Sequence, residues 1–268
     1  MPVGYSIGTS PLVLAFPYVG TDVSPPVFRR LSPYGKSLSE TDWHLRRVFD
    51  GFTSADTQVH ANFSRILSDV NTLPDDKASA RDICTGQAAI TDSHTRTIWH
   101  GPPRAQELNN WKSAFYTPYH AALKAHVAQV RAQHGHAIVL DCVVHRDTSN
   151  TPKADYEVAI ATKLGVTCST GLASNFVAQL KASGTHTAGI DNRFGTGWTV
   201  QNCGKPKHGI HALQLRLKAH SFLASVEEPW PYDEPKAEAL RDVLAHALDY
   251  LRGWVPERKT ASGHYRTG

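Results

Sequence analysis

The stretch Ala137-Ile-Val-Leu-Asp-Cys-Val-Val144 follows Gly135 and is apolar at seven of its eight positions. An apolar run of this length without alternation is typical of a strand that is buried on both faces, at the centre of an α/β sheet. The run Pro11–Phe16, which ends at Pro17 and Gly20, predicts a second buried strand that leads into a loop. Residues 210–217 predict another. Open α/β sheets bind ligands at the carboxyl ends of such strands, so functional residues are expected there.

Apolar residues recur at helical spacing between these strands. Leu45, Val48 and Phe49 predict a helix over residues 39–52. Residues 104–134 have the clearest helical pattern, and Pro118 is expected to kink or divide that helix. Two further helices are predicted, at 171–183 and at 235–254.

Strands that alternate with helices predict an α/β fold, a three-layer sandwich around a mostly parallel or mixed sheet. Residues 1–255 are expected to form a single domain, because no Pro-, Gly- or Ser-rich linker divides them. Residues 256–268 are polar and basic, and we expect them to form a flexible tail.

The composition narrows the function classes. Hydrophobic residues make up 41% of the chain and charged residues 19%, as in a folded globular protein. The formal net charge of +4 includes no long basic block, which argues against nucleic acid or a membrane surface as a partner. The start of the chain lacks a signal-peptide pattern, and the four cysteines form no C-x-x-C pair. The sequence therefore predicts a cytoplasmic protein with free thiols.

Several motifs carry a resemblance to a known family. They are Leu14-Ala-Phe-Pro-Tyr-Val-Gly20, Glu40-Thr-Asp-Trp-His44, Ser64-Arg-Ile-Leu-Ser-Asp-Val-Asn71 with Pro74-Asp-Asp76, and His211-Ala-Leu-Gln-Leu215. Trp111–Leu123 and Asn192-Arg-Phe-Gly-Thr-Gly-Trp198 fit the same pattern. Together they resemble the N-formylglutamate amidohydrolases. That resemblance implies a zinc-exopeptidase-like (phosphorylase/hydrolase-like) fold, a catalytic zinc ion, and the removal of formate from formylglutamate.

The chain departs from this family at the positions that hold the metal. The motif Pro-His-x-Gly reads Pro17-Tyr18-Val19-Gly20, and the histidine of the Asp-x-His-Ser motif falls on Val143. Of the three ligands that the resemblance implies, only Asp42 remains. The glutamate expected to activate water is replaced by Arg216. A neutral phenol is a weak zinc ligand at pH 7, and valine offers no lone pair.

The positions that resemble a substrate site also differ. The arginine of the Asp-Leu-Asn-Arg motif reads Thr72, and a second arginine position, in the loop after residue 192, reads Gln201. These positions are still polar, which predicts a retained pocket for a small anionic molecule. The substrate-binding residues expected on this basis are Asn71, Thr72, Asn192, Gln201 and Arg216.

We therefore expect a divergent small-molecule enzyme that uses no metal or other cofactor and acts on an anionic substrate. The expected reaction is a proton transfer or a condensation that belongs to a biosynthetic pathway. Tyr18, Asp42, His44 and His145 would supply acid, base or hydrogen-bonding groups. One alternative is a pseudoenzyme or binding protein without turnover. A second alternative is a zinc amidohydrolase with relocated ligands, Asp42, His44 and His145. The sequence does not fix the oligomeric state.

Overall fold

The computed structural model describes residues 1–72, 96–147, 153–193 and 195–256. Its centre is one seven-stranded sheet. The strands are β1 (Val3–Ser6), β2 (Leu12–Phe16), β3 (Thr57–Ala61), β4 (Ala137–His145), β5 (Val158–Ala161), β6 (Ala188–Ile190) and β7 (Ile210–Lys218). Their order across the sheet is β1-β3-β2-β4-β7-β5-β6.

The sheet is mixed. Strands β3, β2, β4 and β7 run parallel to one another, whereas β1 is antiparallel to β3 and β5 is antiparallel to β7. The longest pairing joins β4 to β7, from Ala137 opposite Ile210 to His145 opposite Lys218. The apolar run at 137–144 is thus the central strand that the sequence predicted, and its carboxyl end lies beside that of β7.

The helices are α1 (Pro25–Phe28), α2 (Pro33–Ser37), α3 (Leu45–Val48), α4 (Ala105–Trp111), α5 (Thr117–His134), α6 (Thr170–Lys181), α7 (Trp198–Cys203) and α8 (Glu234–Gly253). A π-helical turn at Lys112–Tyr116 joins α4 to α5. Pro118 lies in the first turn of α5, directly after this π-helical turn, so the helical hydrogen-bonding pattern changes next to the residue that has no N–H to donate. The predicted division of this helical region is therefore confirmed.

Two apolar clusters cover the two faces of the sheet, because successive side chains of a strand point to opposite sides. Leu12 and Leu14 of β2 join the cluster with α6 and α8, whereas Val13 and Ala15 join the cluster with α5 and α7. The same alternation holds along β4. The three-layer α/β sandwich is thus confirmed.

The helix predicted over residues 39–52 is wrong in extent, because only Leu45–Val48 is helical. The reason is tertiary. The backbone N–H of Asp42 donates to the carbonyl of Tyr18 at 2.8 Å, not to a helical partner, and His44 has φ of +61°. Both features prevent a helix from starting before residue 45.

Some expectations fall outside the described residues, namely those on Pro74–Asp76, Cys84, Phe194 and the tail beyond Pro256. The other three cysteines are buried free thiols, as predicted: Cys142, Cys168 and Cys203. Within the described ranges, no helix is both long and apolar enough to cross a membrane.

Candidate functional site at the carboxyl ends of the central strands

The face of the sheet that is covered by α5 and α7 becomes polar where β4 and β7 end. Asp141 of β4 pairs in register with Gln214 of β7, and Val143 pairs with Arg216. Gln214 Nε2 donates to Asp141 Oδ2 at 2.8 Å, and Arg216 Nη2 donates to Gln214 Oε1 and to the carbonyl of Gly195. A carboxylate, an amide and a guanidinium thus form one buried chain across two strands.

Asn71 ties the loop after β3 to this chain. Its Nδ2 donates to Asp141 Oδ2 at 2.8 Å, and its Oδ1 accepts from the backbone N–H of Thr199 at 2.9 Å. Its carbonyl accepts from the N–H of Trp198 at 2.7 Å. A Cβ at Gly197 would lie 2.4 Å from the Asn71 side chain, so only glycine allows this approach. Asn71 therefore fixes the start of α7 against β4.

Asp141 has no solvent exposure, and burial raises its pKa to about 6 although the Asn71 and Gln214 amides favour the ionised form. Its Oδ1 has no hydrogen-bond partner among the described residues. No role was predicted for Asp141 from the sequence. The available signal was a single charged residue inside an apolar strand, which requires buried partners.

Tyr18 lies beside this network, in a second group that combines opposite charges. Its hydroxyl donates to Asp69 Oδ1 at 2.9 Å, and the guanidinium of Arg65 lies 3.8 Å from its ring centroid. Arg65 also binds Asp69 Oδ2 at 2.5 Å. Burial and the negative charge of Asp69 raise the pKa of Tyr18 well above its ordinary value. The phenol is therefore neutral and acts as a hydrogen-bond donor.

Asp42 is hydrogen-bonded to the backbone near the carboxyl end of β4. Its Oδ2 accepts from the backbone N–H of Val144 at 2.9 Å, and Arg146 Nη1 lies 3.5 Å from Oδ1. Burial raises the pKa of Asp42 to about 6, against the opposing effect of the Arg146 cation. No sequence pattern indicates this ion pair, whose members are separated by 104 residues.

This donor set does not fit the zinc ion that the family resemblance implies. The Tyr18 hydroxyl donates its hydrogen bond to Asp69, Val143 has no ligand atom, and both oxygens of Asp42 face protein donors. Zinc sites use three or four His, Cys or carboxylate ligands. Across the ranges that the structure describes, no three such side chains are grouped closely enough to hold a metal.

The two predicted histidines lie in different surroundings. The ring of His44 packs 5.4 Å from the Tyr232 ring, and burial lowers its pKa. His145 shares a strand face with Asp141 and Val143. Its Nε2 lies 3.0 Å from Asp147 Oδ1, and Asp147 also binds Lys218. The structure thus places His145 further along the face that carries Asp141, and His44 against the segment that precedes α8.

The predicted substrate residues divide in the same way. Thr72 donates its N–H to Asp69 at 3.0 Å, next to Asn71. Asn192 Oδ1 accepts from the N–H groups of Thr162 and Leu164, and Gln201 binds the carbonyl of Thr196 and the ammonium of Lys163. The structure therefore assembles Tyr18, Asp42, Asn71, Thr72 and Arg216 at one edge, while Asn192 and Gln201 support neighbouring loops.

Comparisons with known proteins agree with this architecture. The family model described as N-formylglutamate amidohydrolase matches residues 10–223. The chain is 28% identical over 265 residues to N-formylglutamate deformylase of Pseudomonas aeruginosa, with 96% of this chain and 98% of the relative covered. It is 27% identical to N-formylglutamate deformylase of Pseudomonas putida, with 94% and 96% covered.

A solved structure shows the same fold. The N-formylglutamate amidohydrolase from Ralstonia eutropha JMP134 superposes with a TM-score of 0.80 at 18% identity, covering 92% of this chain and 96% of that one. The match to the family model spans most of the chain, including all the strands from β2 to β7. The chain therefore belongs to the N-formylglutamate amidohydrolase family.

Proposed function

We propose that this chain is an enzyme of the N-formylglutamate amidohydrolase family that acts on a small anionic substrate without a metal ion at the family's position. The curated relatives are named N-formylglutamate deformylases, which makes N-acyl amino acids with extra carboxylates the first substrate class to test. Metal independence is the part of the proposal that separates this chain from the family pattern.

The observation that carries the proposal is the pairing of Asp42 with Arg146. A metal site needs an anionic ligand that is not already neutralised, and this guanidinium lies 3.5 Å from the Asp42 carboxylate. The neighbouring Tyr18 is bound to Asp69, which is paired with Arg65. Among the described residues, the edge thus keeps polar groups and cations but no group of three zinc ligands, so protein cations take over the charge that a metal would provide.

The residues have distinct proposed roles. Asp42, with a pKa near 6, is the general acid/base, because proton transfer is most efficient when the pKa is close to the working pH. Arg216 provides positive charge for the anionic group of the substrate, and Tyr18 contributes a hydrogen-bonding hydroxyl. His145 is the second proton-transfer group. Asp141 is a positioning residue, since it is fully buried and orients Asn71 and Gln214.

The test combines metal analysis with a substrate screen. Full-length protein is purified with zinc supplied and without chelator, and it is assayed with N-formylglutamate and other N-acyl dicarboxylic amino acids. We expect much less than about one zinc per chain, and turnover that a chelator does not change. Asp42→Asn should lower kcat by about a hundredfold or more. The matched control is Asp242→Asn at an exposed position of α8, which should retain full activity.

Stoichiometric zinc together with chelator-sensitive turnover would disprove metal independence. A second candidate, a binding protein without turnover, is favoured by one observation: both oxygens of Asp42 already have protein partners. Saturable binding of these compounds with no product formed would support that candidate. The alternative with relocated zinc requires Asp42, His44 and His145 to meet, and the His44 ring packs against Tyr232 instead.

A further inference from the structure

We infer that a second binding site, specific for a planar apolar molecule with one anionic group, lies at the opposite edge of the sheet. A cavity of about 650 Å³ is lined there by Ser169, Gly171, Asn175, Lys207, His211 and Trp254, among others. This volume suits a small organic ligand. His211 is near the start of β7 and Arg216 near its end, so the cavity is separated from the site described above by about 17 Å of strand.

The charge around the cavity favours an anion. The 12-residue helix α6 begins at its wall, with Ser169 as the N-cap whose hydroxyl accepts from the N–H of Leu172. A helix N-terminus carries partial positive charge. Lys207 adds a full positive charge, and the described lining residues include no Asp or Glu.

His211 is a lining residue with an unsatisfied polar atom. Its side chain is 4% exposed, and its Nδ1 accepts a hydrogen bond from the N–H of Ser169 at 3.2 Å. A neutral imidazole with Nδ1 as the acceptor carries its proton on Nε2. Burial and the neighbouring His136 lower the His211 pKa to about 4, so the ring is neutral near pH 7. Nε2 is buried from solvent and has no hydrogen-bond partner among the described residues, which leaves an unsatisfied donor behind the cavity lining.

The remaining wall is apolar and sets the shape of the ligand. The Trp254 ring lies edge-to-face with His211 at a centroid distance of 4.8 Å, and Leu172, Pro206 and Pro256 complete the surface. An aromatic body against Trp254, with a carboxylate directed to the α6 N-terminus, satisfies both halves of the cavity. Trp254 and Pro256 lie beyond residue 223, where the match to the family model ends.

The experiment uses 2-naphthoate as the anionic probe and 2-naphthamide as its neutral isostere, titrated into the full-length protein by calorimetry. We expect saturable binding of 2-naphthoate with a Kd below about 1 mM, and binding of 2-naphthamide about tenfold weaker. Lys207→Met should weaken naphthoate binding about three- to tenfold. Lys205→Met is the matched control, because Lys205 does not line the cavity, and its affinity should be unchanged.

A blocking variant tests the location. A Cβ at Gly171 would meet no atom within 4 Å, so Gly171→Phe places its ring in open space and should abolish binding while the melting temperature stays near that of the wild type. Unchanged naphthoate affinity in Gly171→Phe, equal affinity for the amide, or no saturable binding by the wild type would each overturn the inference. None of these outcomes depends on turnover, so the inference is independent of the proposed function.

Discussion

Asn71 donates a hydrogen bond of 2.8 Å from Nδ2 to Oδ2 of Asp141, a residue 70 positions further along the chain. The bond joins the loop after β3 to the central strand, and the same side chain accepts from the N–H of Thr199. One amide therefore holds three segments of the chain in register at the candidate site.

The first prediction concerns this amide. Asn71→Ala removes both side-chain bonds and leaves the Thr199 N–H and part of the Asp141 carboxylate unsatisfied. We expect the free energy of unfolding to fall by about 2–3 kcal/mol, measured by urea denaturation. Asn62→Ala is the matched control, because the Asn62 side chain donates an exposed hydrogen bond to the carbonyl of Met1. Equal losses in the two variants would show that the Asn71 network adds nothing specific.

The second prediction follows from the raised pKa of Asp141. Since its folded pKa is about 6 and the unfolded value is about 3.8, the folded state binds the extra proton between these values. This group therefore stabilises the fold most below pH 3.8, and that stability is lost as the pH rises through about 6. A difference of two pKa units corresponds to about 3 kcal/mol.

Asp141→Asn removes the titrating group but keeps an acceptor for the Asn71 and Gln214 amides. The stability of the variant relative to the wild type should therefore increase by up to about 3 kcal/mol between pH 4 and pH 7. Urea denaturation of both proteins at several pH values provides the comparison, and the other titrating groups cancel in the difference. A constant difference across this pH range would contradict the assigned pKa.

The third prediction tests whether the Arg146 cation neutralises the Asp42 carboxylate in place of a metal ion. The variant Tyr18→His/Val143→His adds two imidazoles near Asp42, and adding Arg146→Gln removes the cation that neutralises this carboxylate. We expect the triple variant to bind about one zinc per chain, and the double variant to bind zinc more weakly, by elemental analysis and calorimetry.

The control for this series is Tyr18→His/Val144→His/Arg146→Gln. Val144 packs in the apolar cluster on the other face of the sheet, whereas Val143 faces the site. Zinc binding in both triple variants would mean that binding does not depend on the geometry at the end of β4. Equal binding by the double and triple variants would remove Arg146 from the explanation.

The fourth prediction concerns Gly197. A Cβ there would come within 2.4 Å of the Asn71 side chain, so Gly197→Ala should displace that side chain and lower the free energy of unfolding by about 1–3 kcal/mol. At Gly101 a Cβ would meet nothing within 4 Å, which makes Gly101→Ala the control. Thermal unfolding measures both variants. A Gly197→Ala variant as stable as the control would show that Asn71 moves aside without penalty.

Sequence alone determined the features that depend on local pattern. The apolar run at 137–144 predicted a central strand because its side chains need burial on both faces, and Asp233 with Pro235 marked the start of α8. The motifs around Tyr18, Asp42 and His211 predicted the family. The same motifs showed that Tyr18, Val143 and Arg216 stand where the family resemblance implies metal ligands and a catalytic glutamate.

Only the tertiary structure decided which of these residues act together. The pairs of Asp42 with Arg146 and of Asn71 with Asp141 span 104 and 70 residues. No local sequence pattern encodes such pairs, because the order of the strands in the sheet determines which distant side chains meet. His44 is two residues from Asp42, yet its left-handed backbone turns the ring toward Tyr232. Local periodicity therefore fixed burial and secondary structure, whereas the charge pairing that defines the site depends on the packing of distant segments.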